Sequence, residues 1–204
     1  MRAVGFTGSL TGGKALLDII NRRDDPIPFY GELSSVNPVI VTPGAAAERG
    51  RVIGSELVAS FTLGAGQLCT KPGVVLIPDD ADGDAIATAV RDAMADVAPQ
   101  PLLNERIHQT YRDETTHLAH HDDVSTIGAT IGRTGPGYVV EPVAFETDVS
   151  QLSGELISEI FGPVTVLVRY PAAHVEAGAA TALSALPRSL TCLLYTSPSP
   201  RDRS

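Results

Sequence analysis

No stretch of the 204-residue chain approaches the roughly 18 consecutive apolar residues that a membrane-spanning helix needs. The opening Met1-Arg2-Ala3-Val4 does not begin a secretory signal. Together these absences favour a soluble, cytoplasmic protein with no membrane partner. Positive charge is also scarce. Lys and Arg number 15 against 24 Asp and Glu, for a net charge of −9, which argues against nucleic acid as the main partner. The net charge does not fix the charge of a small substrate, because the field in a cleft can oppose the global sign. There are only two cysteines, Cys69 and Cys192, and a disulfide between them is not expected in a cytoplasmic chain. No internal repeat is visible, and no G-x-G-x-x-G run marks an ordinary Rossmann turn. What the chain does have is 43% hydrophobic residues, enough for a folded core rather than disorder.

The C-terminal residues break the pattern of the rest. Cys192-Leu193-Leu194-Tyr195-Thr196-Ser197-Pro198-Ser199-Pro200-Arg201-Asp202 reads on composition as a disordered Ser/Pro-rich terminus. It also back-translates, residue by residue, into the transposon end used in sequencing-library adapters. A match this long is far more specific than composition. Residues 192–204 are therefore expected to be a non-native tail, to be set aside in fold reasoning. On that reading the native sequence is interrupted near Thr191, the chain is a fragment, and Cys69 is its one native cysteine. Removing Arg201, Asp202 and Arg203 also makes the chain more negative by one charge.

Strands and helices alternate along the remainder. Strands are expected at 3–7, 29–32, 38–41, 73–78, 138–140 and 164–168. Helices are expected at 12–22, with Ala15, Leu16, Ile19 and Ile20 at helical spacing, and at 45–63, with Ile53, Leu57, Val58 and Phe61 as the apolar stripe. Three more are expected: 83–97, with Ile86, Val90, Met94 and Val97 on one face, 102–120 and 172–186. Pro26 stops the first helix, and Gly64-Ala65-Gly66 ends the second. This order implies an α/β layered fold.

Four places carry residues suited to chemistry. Phe6-Thr7-Gly8-Ser9 sits at a strand-to-helix junction, where Gly8 and Gly13 allow close backbone approach and the helix N-terminus offers N–H groups to a phosphate. A glycine-rich turn of this kind is more often only a turn. Cys69, in Gly66-Gln67-Leu68-Cys69-Thr70, has small and polar neighbours rather than the apolar setting of an inert buried thiol, which makes it a candidate nucleophile. Glu32, in Tyr30-Gly31-Glu32-Leu33-Ser34-Ser35, is either a solvated edge residue or a functional carboxylate. Buried near Cys69, it would suit a general base for water. The fourth is Glu159-Ile160-Phe161-Gly162-Pro163. His117, His120, His121, Asp122 and Asp123 look like a metal cluster but lack a second ligand group at structural-site spacing, so no metal is expected. Asp79, Asp80, Asp82 and Asp84 read as a solvated loop and helix start.

Taken together and in this order, these elements resemble the aldehyde dehydrogenase superfamily from about Val4 to Val168. The resemblance implies a fragment of that fold. Residues 1–31 would be a remnant of the NAD(P)-binding domain and residues 32–191 a truncated catalytic domain. Gly8, Ser9 and Gly13 would then form the cofactor turn, Glu32 would be the catalytic glutamate and Cys69 the nucleophile. Glu159 would bind the nicotinamide ribose, and Phe161 would lie beside the nicotinamide. The family usually has two glycines and a lysine where Ser34, Ser35 and Val36 stand, and an acid where Ser158 stands. The first departure, with Cys69-Thr70-Lys71-Pro72-Gly73, is similar to the 2,5-dioxopentanoate (α-ketoglutarate semialdehyde) dehydrogenase branch. The NADP-dependent fatty aldehyde dehydrogenase type is a close neighbour of that branch.

The implied function is NAD- or NADP-dependent oxidation of a small-molecule aldehyde to a carboxylic acid through a thioester on Cys69, in a homo-oligomeric parent enzyme. An acylating relative that passes the thioester to coenzyme A is disfavoured by Glu32. A non-catalytic scaffold homologue is disfavoured by the joint presence of Cys69, Glu32 and Glu159. The family's oxyanion asparagine and adenine-ribose lysine are expected to precede residue 1, and its oligomer-forming last strand to follow Thr191. The 204-residue chain by itself is therefore expected to be inactive.

Overall fold

The structure, a computed structural model, describes residues 1–129, 137–153, 156–187, 189 and 191–197. It divides into two units, Met1–Ser35 and Val36–Ser204, each with its own architecture.

The first unit is a single strand–helix–strand turn. Strand β1 (Val4–Thr7) leads into helix α1 (Leu10–Asn21), and the chain returns as β2 (Phe29–Glu32), parallel to β1 with Thr7 opposite Glu32. Ser9 starts the helix: its hydroxyl oxygen accepts the Gly12 N–H at 3.2 Å, satisfying one of the free donors of the first turn. The apolar stripe expected on α1 is not buried as a stripe. Ile20 is covered, but Ile19 is 62% exposed. A unit of this size has too little surface of its own to enclose a full helix face.

The second unit holds the core. In chain order it comprises β3 (Pro38–Val41), α2 (Pro43–Thr62), a 3-10 turn (Leu63–Gly66), β4 (Val74–Pro78), α3 (Ala81–Ala95) and the short β5 (Gln100–Pro101). Then come α4 (Glu105–Ala119), β6 (Ser125–Ala129), β7 (Val139–Val140), β8 (Val143–Asp148), β9 (Val164–Tyr170), α5 (Val175–Ala185) and β10 (Leu193–Tyr195). Each long helix opens on a side-chain cap: Thr42 before Pro43 for α2, Asp80 for α3 and Asn104 for α4. Asp82 and Asp84 fall in the first turn of α3, where the helix dipole favours them.

Among the described residues the main sheet runs β10-β3-β4-β9-β8-β6. It is parallel except for β6, which pairs antiparallel with β8. Side chains alternate between its faces with a period of two. Val39, Val41, Val75, Ile77 and Leu167 meet Ile53, Leu57, Phe61, Ile86 and Val90 from α2 and α3. Ile40, Val74, Leu76, Val166 and Val168 belong to the other face, with Tyr111 and Leu118 of α4 and Ala182 of α5. Gly54 lets α2 and α3 cross closely, since a side-chain carbon there would come 2.7 Å from Ala89 Cβ.

Four strands were not foreseen: β5, β6, β8 and β10. Segment β8 reads Val-Ala-Phe-Glu-Thr-Asp, too polar at its end to register as an apolar run, and β6 contains glycine and serine. Part of the tail, Leu193–Tyr195, lies on β3 as an edge strand, while its residues 198–204 fall outside the described set. Among the described residues no helix is long and apolar enough to cross a membrane.

Candidate active site

In the first unit the cofactor-turn candidates and Glu32 share one neighbourhood. The Gly8 N–H donates to the Glu32 carbonyl at 3.0 Å, because β1 and β2 end side by side. The Leu10 N–H donates to Ser34 Oγ at 3.1 Å. Gly13 is buried against Leu33, whose isobutyl group occupies the place a side chain would take. The Phe6 ring lies under the turn, and a side-chain carbon at Gly12 would come 3.1 Å from it. Ser9 uses its hydroxyl oxygen to cap the helix, which leaves its O–H free to donate outward. Glycines, an exposed hydroxyl and a helix N-terminus fit a phosphate group. The Glu32 side chain is exposed, so the burial that would suit a water-activating carboxylate is not supplied within its own unit.

In the second unit topology gathers the remaining candidates. Strands β10, β3, β4 and β9 are neighbours and all parallel, so the segments that lead into them emerge at one end of the sheet. Asn37 precedes β3, Cys69 and Lys71 precede β4, Glu159 and Phe161 precede β9, and Thr191 precedes β10.

The loop carrying Cys69 is held at four points. First, Gly64, Ala65 and Gly66 take positive φ values of 60°, 58° and 65°, a left-handed turn that throws the chain out of α2. Gly66 then packs so tightly on the Gly162–Pro163 backbone that any side chain would overlap it. Second, Gln67 Oε1 accepts the Leu103 N–H at 2.8 Å, and its Nε2 donates to the Gly64 carbonyl at 3.3 Å. Third, Asn37, 2% exposed and at φ 51°, donates from Nδ2 to the carbonyls of Cys69 (2.8 Å) and Lys71 (3.0 Å). Its Oδ1 accepts the Thr191 N–H at 3.2 Å. Fourth, Lys71 Nζ donates to the Val164 carbonyl at 2.8 Å.

The result is an exposed thiol on a backbone fixed from several sides. Both cysteines are free, and both are exposed. Access is what a reacting thiol needs, and a rigid backbone limits the geometries it must search. Glu159 and Phe161 are partly exposed beside the same loop. Burial pulls the Lys71 ammonium down to a pKa of about 8, and the Glu159 carboxylate pushes it back up. Sequence reasoning did not single out Asn37 or Lys71, and it read Gln67 only as a polar neighbour of Cys69. Their roles come from partners that only the folded chain brings near. No local signal marks them, because the burial of Asn37 and Lys71 is not visible in sequence.

The histidine cluster goes elsewhere. His117 and His120 line an open cleft of about 450 Å3 on α4 with Gln109, Arg112 and Asp113. Among the described residues no group of three or more His, Cys, Asp or Glu is arranged to hold a metal ion.

A model of the aldehyde dehydrogenase family matches residues 1–196. The alpha-ketoglutaric semialdehyde dehydrogenase 2 of Azospirillum brasilense is 41% identical over 175 residues, which cover 83% of this chain and 32% of that protein. The alpha-ketoglutaric semialdehyde dehydrogenase of Acinetobacter baylyi is 38% identical over 173 residues, covering 82% of this chain and 32% of the relative. The chain thus spans about a third of the length of the curated relatives it matches. Among solved structures, the Delta-pyrroline-5-carboxylate dehydrogenase of Mycobacterium tuberculosis overlays with a TM-score of 0.82 at 17% identity, covering 97% of this chain and 38% of that one. A likeness at that identity speaks for the fold, and the family match extends it to sequence: the chain belongs to the aldehyde dehydrogenase family.

Proposed function

We propose that the chain is part of an enzyme that oxidises a small aldehyde to the carboxylic acid with NAD+ or NADP+, with α-ketoglutaric semialdehyde as substrate. The observation that carries the chemistry is the exposed Cys69 on a backbone pinned by Asn37, Gln67 and Lys71. The substrate rests on the names of the two relatives at 41% and 38% identity.

Cys69 Sγ, as thiolate, adds to the aldehyde carbon and forms a carbon–sulfur bond, leaving a tetrahedral adduct on the enzyme. The adduct loses two electrons as hydride, for which a bound nicotinamide dinucleotide would be the acceptor, and a thioester remains on Cys69. Gly8, Ser9 and Gly13 would hold the dinucleotide's phosphates, Glu159 its ribose and Phe161 its nicotinamide ring. Glu32 takes a proton from water, the water oxygen attacks the thioester carbon, and Cys69 leaves as thiolate with release of the acid. Residues 1–31 belong to the dinucleotide-binding part and 32–191 to the catalytic part, while 192–204 are foreign to both. The parent enzyme is a cytoplasmic homo-oligomer.

The test uses the full-length parent reading frame. It should oxidise α-ketoglutaric semialdehyde with a nicotinamide cofactor, and Cys69→Ala should abolish both turnover and thioester formation. Dehydrogenase activity surviving in Cys69→Ala would overturn the nucleophile assignment. The 204-residue chain alone, a third of its relatives' length, should not turn over.

A further inference from the structure

The chain contains only two lysines, Lys14 and Lys71. Lys14 is exposed on α1, whereas Lys71, two residues beyond the candidate nucleophile, is 5% exposed. Burying an ammonium is costly unless it is hydrogen-bonded and faced by an opposite charge. Lys71 has both: the Val164 carbonyl at 2.8 Å and the attraction of Glu159. These two partners flank Phe161-Gly162-Pro163, the turn on which Gly66 is packed. The phenol of Tyr111, 3.4 Å from the adjoining Pro163 carbonyl, does not compete for the charge, because burial raises its pKa and keeps it neutral.

We infer that Lys71 is a positioning residue: its ammonium ties the loop presenting Cys69 to the segment presenting Glu159 and keeps the two in register. The inference rests on the proposed roles of Cys69 and Glu159. Lys71 spans from the β4 lead-in to the first residue of β9, so backbone motion at one loop is passed to the other. Because Glu159 supplies part of what keeps Lys71 charged, loss of that carboxylate weakens the tie even with the lysine in place.

The test reads the thiol and the lysine, not turnover. In the 204-residue chain carrying Cys192→Ser, Cys69 is the sole thiol, and its alkylation by iodoacetamide is followed from about pH 7 to pH 10. Lys71→Met should slow alkylation about fivefold or more, through loss of the loop fixation, and Lys71→Arg should recover part of it. Circular dichroism establishes that each variant is folded. A folded Lys71→Met variant with a rate profile within twofold of the parent's would overturn the inference. Should Lys71→Met not fold, the Lys71 Cε signal in a lysine-labelled chain decides. Lys14→Arg leaves that signal alone in the spectrum, and Glu159→Gln should lower its titration midpoint. An unchanged midpoint refutes the coupling. A parent enzyme with no dehydrogenase activity would remove the functional reading without changing either result, so the two failures are separable.

Discussion

The side-chain amide of Asn37 donates to the carbonyl of Cys69 at 2.8 Å, so the backbone of the candidate nucleophile is fixed by the residue that opens a neighbouring strand. The same amide nitrogen reaches the Lys71 carbonyl, and Asn37 sits at φ 51°, where asparagine is among the few side chains that settle easily. Asn37→Gly keeps the backbone and removes the donors. It should cost about 2 kcal/mol, because at least the buried Lys71 carbonyl loses its partner. Asn37→Ala adds the left-handed strain and should cost about 1 kcal/mol more than Asn37→Gly. Urea denaturation of the three proteins checks the order. Equal stabilities for Asn37→Ala and the parent would show that the amide holds nothing.

Gly66 should be equally intolerant for a different reason. A side chain there would run into the Gly162 carbonyl and Pro163 nitrogen, which are backbone and cannot rotate aside. Gly162 cannot retreat, because it is itself pressed against the Tyr111 ring. With φ at 65° as well, Gly66→Ala should destabilise by about 3 kcal/mol and separate the two loops. Thermal melting is the measurement. A loss below about 1 kcal/mol would mean that the loops slide past each other freely.

How much of this was legible in the sequence differed by element. Pro38–Val41 and Val74–Pro78 announce themselves because both faces of a central parallel strand are buried and the residues are apolar throughout. Strand β8 did not, since the partly exposed Glu146 and Asp148 break up its apolar run. Ile19 had helical spacing but no partner face, which periodicity cannot reveal. At the site, Cys69 stood out by residue type. Asn37 and Lys71 did not, because lysine and asparagine are ordinarily surface residues and nothing local marks these two as buried. Their importance lies in contacts 32 and 93 residues away along the chain.

Lys71 gives the stability a specific pH dependence. Its pKa falls from 10.5 in the free side chain to about 8 in the fold, with burial the larger cause and Glu159 opposing it. Between those values the unfolded chain binds the proton and the folded chain does not, so unfolding takes up a proton and stability rises with pH. The contribution is smallest below about pH 8 and grows to roughly 3 kcal/mol as pH nears the free value. Tyr111 acts in the opposite sense once free tyrosine ionises near pH 10, because its folded pKa is raised by burial. The clean comparison is therefore the difference between the parent and Lys71→Met, by urea titration from about pH 7 to pH 10. The stability of the parent relative to Lys71→Met should rise with pH across this range. A pH-independent gap would show that Lys71 keeps its ordinary pKa.

The last prediction concerns residues 192–204. Strand β10 is held mainly by main-chain pairing with β3, which almost any extended sequence can make. The Thr42 N–H donates to the Tyr195 carbonyl at 3.0 Å, and Arg49 Nη2 donates to the Thr196 carbonyl at 3.0 Å. Of its side chains only Tyr195 packs, with the Arg49 guanidinium 5.5 Å from its ring centre, while Leu193 and Leu194 are 49% and 61% exposed. Exposed leucines on an edge strand leave an apolar rim open to self-association. Replacing both, Leu193→Thr with Leu194→Thr, should change stability by no more than about 0.5 kcal/mol and reduce self-association, whereas Tyr195→Ala should cost about 1 kcal/mol. Denaturation and light scattering read both effects. A loss above about 2 kcal/mol in the double threonine variant would mean that the leucines are packed after all.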